Sequence, residues 1–219
     1  MNLSTNACPL CHGSNTEHYW QDRRRCYRHC ATCDLVFVPL EFLLSSDAER
    51  QVYDLHQNDA CDAGYRRFLN RLCQPLCLLL APGSEGLDFG CGPGPALARM
   101  LSEQGFQVSL YDPFYAPDAA ALKRCYNFIT CSEVVEHLYR PRQELERLWH
   151  LLRPGGHLGL MTKLVRDVEA FSRWHYKNDP THVRFFSRQT FLWLARQWQA
   201  ELSFFAQDVI ILHKPKEEK

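Results

Sequence analysis

The chain has 219 residues, of which 46% are hydrophobic and 23% are charged, and its formal net charge at pH 7 is zero. This length suits one globular domain with an appendage, and the neutral charge argues against a large nucleic-acid-binding surface. The sequence shows no apolar stretch long enough to span a bilayer and no signal-peptide pattern after Met1, so we expect a cytoplasmic protein without a membrane partner. The one tight basic run, Arg23–Arg25, is predicted to be a solvated face.

Two Cys-x-x-Cys pairs predict a zinc ribbon over residues 1–40. Each pair can place two thiolates within tetrahedral reach of one ion, and the residues between the pairs can form a hairpin that returns the chain. Four thiolates leave no open position for a substrate, so the zinc is expected to be structural. The predicted ligands are Cys8, Cys11, Cys30 and Cys33, with Cys26, His12 and His29 as alternatives. Leu35–Pro39 is predicted to be the closing strand.

Residues 41–82 are predicted to form a helical linker between the ribbon and a third region, residues 83–219. Apolar side chains recur on one helical face of the linker. They are Tyr65, Phe68, Leu69 and Leu72. Cys73 and Cys77 lie four residues apart on the same predicted helix, and burial as apolar side chains is favoured over metal binding for both.

A glycine-rich turn, Asp88–Gly94, follows the first predicted strand of the third region and precedes a helix that begins near Pro95. Its pattern is Asp-x-Gly-x-Gly-x-Gly. Glycines allow a sharp turn and the close approach of a ligand, and the helix start offers free N–H groups. A pyrophosphate ligand disfavours a nearby negative charge. Asp88 therefore favours a ligand that carries an ammonium group and no phosphate, as S-adenosylmethionine (SAM) does.

The second predicted strand of this region, Phe106–Tyr111, ends at Asp112 and Pro113. An acidic residue at this strand end can accept hydrogen bonds from both ribose hydroxyls of an adenosine ligand. An Asp-Pro pair also forms turns. The preceding glycine turn favours the ribose interpretation.

Residues 112–127 are too few for the helix and strand that usually follow a second strand in such a sheet, and they include Pro113 and Pro117. We therefore predict a shortened sheet edge at this point. The next predicted strand, Asn127–Ser132, is central. Residues at its carboxyl end should face the ligand crevice, which places Cys131 and Ser132 in the lining.

Three ordered landmarks resemble motifs of the class I SAM-dependent methyltransferases. They are the Asp88–Gly94 turn, the Glu-Val-x-Glu-His-Leu segment Glu133–Leu138 and the Leu-x-Pro-Gly-Gly run Leu152–Gly156. The second also resembles small-molecule methyltransferases related to those of quinone biosynthesis. The resemblance implies a Rossmann-like, doubly wound α/β sheet and a linker helix that covers the cofactor. In that helix Tyr65 and Arg66 could reach the methionine carboxylate, although a packing helix with exposed arginines explains them equally well. The implied cofactor-binding residues are Asp88, Phe89, Gly90, Cys91, Gly92, Gly94, Asp112, Pro113, Cys131, Ser132 and Tyr65.

The last elements also follow the class. Helix Ser187–Gln197 is predicted with Ser187 as its cap, followed by a terminal hairpin with one antiparallel strand inserted into the sheet. The Pro-Gly-Gly run is predicted to be a turn between a helix and the strand His157–Thr162.

The segment Trp174–Phe186 is predicted to hang over the carboxyl edge of the sheet and to carry the chemistry. An imidazole titrates near neutral pH, and a carboxylate partner fixes its tautomer. His182 or His175, oriented by Asp179, is therefore a candidate base, unless Asp179 and His182 only pin the loop. His175, Asp179 and His182 are also weighed as metal ligands. His137, with Glu136, either faces the acceptor or tethers its own helical turn.

The resulting hypothesis is a methyltransferase with SAM as cofactor, a structural zinc ion and a small-molecule acceptor. Two alternatives remain open. In the first, the ribbon serves as a docking module for an RNA or protein substrate; in the second, the chain binds SAM without catalysis.

Overall fold

The computed structural model describes residues 7–55 and 59–216. The strands within these ranges are β1 Thr16–Gln21, β2 Cys26–Cys30, β3 Val36–Phe37, β4 Glu85–Phe89, β5 Gln107–Tyr111, β6 Tyr126–Ser132, β7 Leu152–Met161, β8 Arg184–Phe185, β9 Glu201–Phe205 and β10 Val209–His213. The α-helices are α1 Ser46–Tyr53, α2 Ala63–Cys77, α3 Ala96–Glu103, α4 Pro141–Leu151, α5 Val168–Ser172 and α6 Arg188–Trp198.

Six strands form the central sheet in the order β5-β4-β6-β7-β10-β9. The first four run parallel, and β10 is antiparallel to both β7 and β9. Helices cover both faces. Along β10, Ile210 packs in the cluster that includes α4 and α6, whereas Ile211 packs in the cluster that includes α2 and α3. Because side chains alternate across a strand, both faces of β10 are apolar. The predicted doubly wound sheet with an inserted antiparallel strand is confirmed.

The sheet ends at β5, as the short stretch after Asp112 predicted. Within residues 112–125, Asp112 and Ala116 form an isolated antiparallel β-bridge. One 3-10 turn, Ala121–Lys123, follows before β6 begins. No third strand lies beyond β5 in this fully described stretch. The shortened edge is therefore confirmed.

The Pro-Gly-Gly run differs from its prediction. It lies inside β7, which begins at Leu152, and does not precede the strand as a separate turn. On β6, Tyr126 pairs with Leu152 and Phe128 pairs with His157, so that residues 153–156 bulge out of register. Gly156 allows this bulge, because a Cβ there would lie 2.8 Å from the Arg153 carbonyl oxygen.

The ribbon is integrated with the rest of the chain through a second sheet, ordered β1-β2-β3-β8. Its first three strands come from the predicted ribbon, and β3 lies within the predicted closing strand. The fourth strand, β8, comes from the segment between β7 and α6, and Val36 pairs with Phe185. At the start of α6, Ser187 and Thr190 form a capping box, which agrees with the predicted cap. None of the helices in the described ranges combines the length and apolarity needed to cross a lipid bilayer.

Candidate functional site

A cavity of about 680 Å³ lies at the carboxyl ends of β4, β5 and β6. This is the place where ligands bind to open parallel sheets. Most of the predicted site residues line it. They are Tyr65, Phe89, Gly90, Cys91, Gly92, Asp112, Pro113, Ser132, His137, Asp179 and His182.

The glycine turn forms one wall of the cavity. Gly90 and Gly92 have φ angles of 75° and 64°, which side chains disfavour. A Cβ on Gly90 would also lie 2.5 Å from a methyl carbon of Val134. The turn is tied to β5, since the Gly90 N–H donates to the Tyr111 carbonyl at 2.7 Å. The backbone thus reaches the cavity without a side chain in between.

Asp112 is buried at the end of β5 and organises the loop around it. One carboxylate oxygen accepts from the Gly92 N–H at 3.0 Å, and the other accepts from Phe114 and Tyr115 N–H groups at 2.8 and 3.1 Å. Asp112 therefore does stabilise a turn, which was the alternative interpretation of the Asp-Pro pair. This role does not displace the ribose interpretation, because Asp112 also lines the cavity.

Three predicted cofactor residues do not line the cavity. Asp88 lies beneath the turn, where its carboxylate accepts from Thr130 at 2.7 Å and burial raises its pKa to about 6. Cys131 packs in the core, because it points to the opposite side of β6 from Ser132. Gly94 lies at the entry to α3, where its carbonyl accepts from Ala96 N–H. Asp88 was expected to contact the ligand directly, but it accepts a hydrogen bond from Thr130 below the turn.

Ser132 and Glu133 bring polar atoms to the floor of the cavity. The Ser132 hydroxyl and one Glu133 carboxylate oxygen are buried and lack hydrogen-bond partners among the described residues. Glu133 also has a φ of 54°, an uncommon value for a side-chain-bearing residue. Buried polar atoms without partners cost free energy, so these two favour a bound polar ligand. Glu133 is not among the site residues predicted from the sequence, although it lies in the second landmark.

Aromatic side chains form much of the remaining wall. Tyr65 contributes from α2, as predicted. Arg66 does not line the cavity; it pairs with Glu103 on α3, which favours the packing-helix interpretation of this side chain over contact with the methionine carboxylate. The loop that replaces the third strand supplies Pro113, Phe114 and Tyr115. The other aromatic lining residues are Tyr53, Phe89, Tyr111, Tyr139 and Tyr176.

His182 lies at the far end of the cavity with a defined tautomer. Its Nδ1 is 2.7 Å from the Tyr176 carbonyl oxygen, which can only accept, so Nδ1 carries the proton. In the neutral ring Nε2 is then the basic nitrogen, and it lies 3.8 Å from Asp179 Oδ2. Burial of Asp179 is outweighed by hydrogen bonds from Thr181 and by the charge of His182, which keeps the pKa of Asp179 below its usual value. A protonated His182 would therefore face an ionised carboxylate.

His137 meets His182 edge to face, with ring centroids 4.7 Å apart. Its Nδ1 is 3.2 Å from the Thr181 carbonyl oxygen, which assigns the proton to Nδ1 in this ring too. His175 is not brought to the cavity. It is exposed and its Nε2 accepts from the Lys163 ammonium at 3.2 Å. The structure therefore assembles His137, Asp179 and His182 and leaves His175 outside.

A buried acidic network lies behind the histidines. The Tyr176 hydroxyl donates to Glu136, which is fully buried, and lies 3.3 Å from Glu133 and from Thr162. Burial and the nearby Glu133 raise the pKa of Glu136 to about 8.

The ligand atoms of Glu136, His137 and His182 lie within 4.8 Å of one another, so this group could hold a metal ion. The trio of His175, Asp179 and His182, which was weighed as an alternative metal site, is not brought together, because His175 contacts Lys163 instead.

The four predicted zinc ligands cluster in the ribbon. The Sγ atoms of Cys8 and Cys33 lie 3.5 Å apart, and those of Cys11 and Cys30 lie 3.4 Å apart. These separations are near the roughly 3.8 Å expected between sulfurs of a tetrahedral site with Zn–S bonds of about 2.3 Å. The cluster found among the described residues excludes Cys26, His12 and His29. His29 instead bonds Glu17 and Asp34.

Both knuckles have the same backbone geometry. The Cys8 carbonyl accepts from His12 N–H at 3.0 Å, and the Cys30 carbonyl accepts from Asp34 N–H at 2.8 Å. His12 and Asp34 have φ angles of 61° and 60°, so each knuckle turns through the left-handed region directly after its second cysteine. The repeated geometry directs all four thiols to one point.

The cavity and the sheet topology together match a known family. A family model described as a methyltransferase domain matches residues 61–202. The chain belongs to this methyltransferase family. As predicted from its three landmarks, it is a class I member, and it carries the cysteine cluster in front of the family domain.

Relatives of this methyltransferase are similar over part of their length. It is 31% identical over 86 residues to the ubiquinone biosynthesis O-methyltransferase of Serratia proteamaculans. The aligned region covers 39% of this chain and 35% of that relative. The chain is 33% identical over 87 residues to the protein of the same name from Cronobacter sakazakii, with coverage of 39% and 35%. The chain thus spans about a third of the length of each of these two curated relatives.

The fold of the methyltransferase is shared with a solved structure at low identity. This structure is the 1,6-didemethyltoxoflavin-N1-methyltransferase of Burkholderia thailandensis with bound 1,6-didemethyltoxoflavin and S-adenosylhomocysteine. The TM-score is 0.53 and the identity 15%, with coverage of 91% of this chain and 100% of the other. This likeness supports the architecture.

Proposed function

We propose that the protein transfers a methyl group from SAM to a small-molecule acceptor. The observation that carries this proposal is one cavity that reaches from the Gly90–Gly92 turn to the His137–His182 pair. A cofactor at the first end and an acceptor at the second would face each other inside it. In-line displacement requires that arrangement, because the acceptor must approach the sulfonium methyl from the side opposite to sulfur.

The residues at the turn fit SAM. Gly90 and Gly92 leave the backbone open to a ligand, and Asp112 lines the cavity at the end of β5, where a ribose can bind. The unpartnered Ser132 hydroxyl and the unpartnered Glu133 oxygen offer an acceptor for an ammonium or hydroxyl group. When bound, SAM supplies an electrophilic methyl group. The roles of these residues are proposals from their placement.

His182 is proposed as the general base where the acceptor must lose a proton. Its Nε2 would take the proton, its Nδ1–H would stay on the Tyr176 carbonyl, and Asp179 would stabilise the imidazolium. His137, which contacts the same ring, is proposed to orient the acceptor. Tyr53, Tyr139 and Tyr176 would exclude water around it.

A small acceptor is favoured by the cavity and by the relatives. A cavity of about 680 Å³ falls within the roughly 300–1,000 Å³ usual for small-molecule sites. The curated relatives are named for ubiquinone biosynthesis, which concerns a small molecule.

We further propose that Cys8, Cys11, Cys30 and Cys33 hold one structural zinc ion, which supplies a four-coordinate link between the two knuckles. The cytoplasmic location expected from the sequence stays a prediction.

The test is incubation of the protein and a whole-cell extract with SAM carrying an isotopically labelled methyl group, followed by mass spectrometry of the small-molecule, RNA and protein fractions. A labelled small molecule that is absent from a His182→Asn control supports the proposal. Label in RNA or protein, accompanied by salt-sensitive RNA binding in the first case, would favour the docking alternative. Binding of SAM without any labelled product from broad extracts would favour a non-catalytic SAM-binding protein.

A further inference from the structure

The turn between β1 and β2 carries the run Arg23–Arg25, which the sequence predicted to be a solvated face. That prediction is wrong for Arg25, which is only 7% exposed. The turn itself is held by Asp22, which accepts from the Arg24 and Arg25 N–H groups at 2.8 and 3.1 Å. A buried arginine on a short turn needs partners, because an unpaired buried charge is strongly unfavourable.

Those partners are backbone carbonyls of the segment that carries the candidate base. The Arg25 guanidinium donates to the carbonyls of Lys177, Asp179 and Pro180, the last two at 2.7 and 3.1 Å. Arg24 donates to the Asn178 carbonyl at 3.2 Å. Two neighbouring arginines therefore bind four consecutive carbonyls. Hydrogen bonds from a charged donor are stronger than neutral ones, and a guanidinium offers several donors in a rigid plane.

The junction also contains an acidic side chain, Asp22. Tyr27, which is fully buried, donates to Asp22 Oδ2 at 3.1 Å and lies 3.3 Å from the Lys177 carbonyl oxygen. The Lys177 ammonium lies 3.7 Å from the same Asp22 oxygen. Backbone hydrogen bonds, the Tyr27 hydroxyl and Lys177 outweigh the burial of Asp22 and keep its pKa below the usual value. The junction thus holds an ionised Asp22 beside the buried Lys177 ammonium.

The other side of the same segment faces the cavity. Tyr176, Asp179 and His182 line it, while the carbonyls between them are bound by the ribbon turn. The segment has little regular structure of its own, being one 3-10 turn, His175–Asn178, followed by a bend and a turn at residues 179–181. Besides its internal hydrogen bonds to Asp179 and to the Tyr176 carbonyl, it is held by contacts made outside it.

We infer that Arg25 is a positioning residue for the acceptor half of the cavity, and that the ribbon turn acts as an internal brace for residues 176–182. This inference rests on the proposed function for the role of the acceptor half. The brace itself follows from the four bound carbonyls. Arg25 determines the positions of Asp179 and His182. The cofactor half around Gly90–Gly92 is held separately, by hydrogen bonds to β5.

The experiment compares three variants of the full chain. Arg25→Gln removes the guanidinium, and Tyr27→Phe removes a single hydroxyl from the same junction. Arg28→Gln is the matched control, because the Arg28 hydrogen bonds in the described structure go to Thr16 inside the ribbon. Amide hydrogen exchange of residues 176–183 is measured by mass spectrometry, together with the SAM dissociation constant by calorimetry.

Exchange in residues 176–183 is expected to rise about tenfold or more in Arg25→Gln, to rise less in Tyr27→Phe and to stay native-like in Arg28→Gln. The SAM dissociation constant should remain within about twofold in all three. Once an acceptor is known, its KM should rise in Arg25→Gln while SAM affinity stays constant.

Unchanged exchange in Arg25→Gln, or an equal rise in Arg28→Gln, would overturn the inference. If Arg25→Gln does not fold, Tyr27→Phe decides, and unchanged exchange in that variant overturns it. The exchange and SAM measurements need no acceptor, so the brace can stand if methyl transfer fails, and the proposed function can stand if the brace fails.

Discussion

The Nε2 atom of His182 lies 3.8 Å from a carboxylate oxygen of Asp179, and the opposite ring nitrogen is fixed by the Tyr176 carbonyl. If His182 is the base, His182→Asn should lower turnover by about 100-fold or more, since general bases contribute roughly that factor. SAM affinity should be unaffected. His175→Asn is the matched control and should stay within about twofold of the native rate. Equal losses in both variants would assign the base elsewhere.

The role of the glycine turn in SAM binding can be tested by substituting Gly90, with Gly83, a glycine of similar backbone conformation, as the control. Gly90 and Gly83 have φ angles of 75° and 74°, but a Cβ on Gly83 meets no atom within 4 Å. Both alanine variants should lose about 1 kcal/mol of stability from the backbone conformation. Only Gly90→Ala should also lose SAM affinity, by about tenfold or more, because Val134 must move. Calorimetric SAM titration and thermal unfolding check this, and a similar loss of SAM affinity in Gly83→Ala would contradict it.

Zinc content should depend on the four clustered thiols. The purified protein is expected to contain one zinc ion per chain by elemental mass spectrometry. Cys30→Ser should abolish this stoichiometry and lower the unfolding temperature, because metal binding by a folded site contributes directly to folding free energy. Cys26→Ser, in the same hairpin but outside the cluster, should retain the zinc. Retention of the metal by Cys30→Ser would show that these thiols do not form the site.

The buried Glu136 carboxyl should make stability depend on pH. Burial first, and Glu133 second, raise the pKa of Glu136 from about 4.5 to about 8. A raised folded-state pKa means that the folded protein binds the extra proton. The stabilisation is therefore complete below about pH 4.5 and is lost as the pH rises through about 8.

Glu136→Gln, which stays neutral, should unfold at nearly the native temperature at pH 5 and several degrees above it at pH 8. Thermal unfolding without SAM measures this difference. Glu169→Gln serves as control, because the Glu169 side chain is 78% exposed. A constant offset between Glu136→Gln and the native protein at both pH values would contradict the pKa shift.

The sheet was predictable from the sequence because its signals are local. Asp88 ends one strand, the glycines require a turn, and the short stretch after Asp112 has no room for another strand. The cysteine cluster was predictable for the same reason, since two Cys-x-x-Cys pairs determine their own knuckle geometry.

The sequence could not predict the orientation of side chains or the contacts between residues that are far apart in the chain. Cys131 and Ser132 are adjacent, yet one points into the core and the other into the cavity. Asp88 was expected to face the ligand, but Thr130 on the neighbouring strand binds it. His175 and His182 have the same chemistry, and only the path of the chain separates them. Arg25 gave no signal, because its partners are carbonyls, which every residue possesses.

The pairing of β3 with β8 has a consequence for the order in which the protein is built. The ribbon strands leave the ribosome before Arg184 and Phe185, which follow them in the chain. Until β8 has been made, the hydrogen-bonding edge of β3 has no native partner, and such an edge can recruit other chains. The second sheet can therefore be completed only after residues 184–185 have been made. A nascent chain stalled before residue 184 should show a protease-sensitive ribbon even in the presence of zinc.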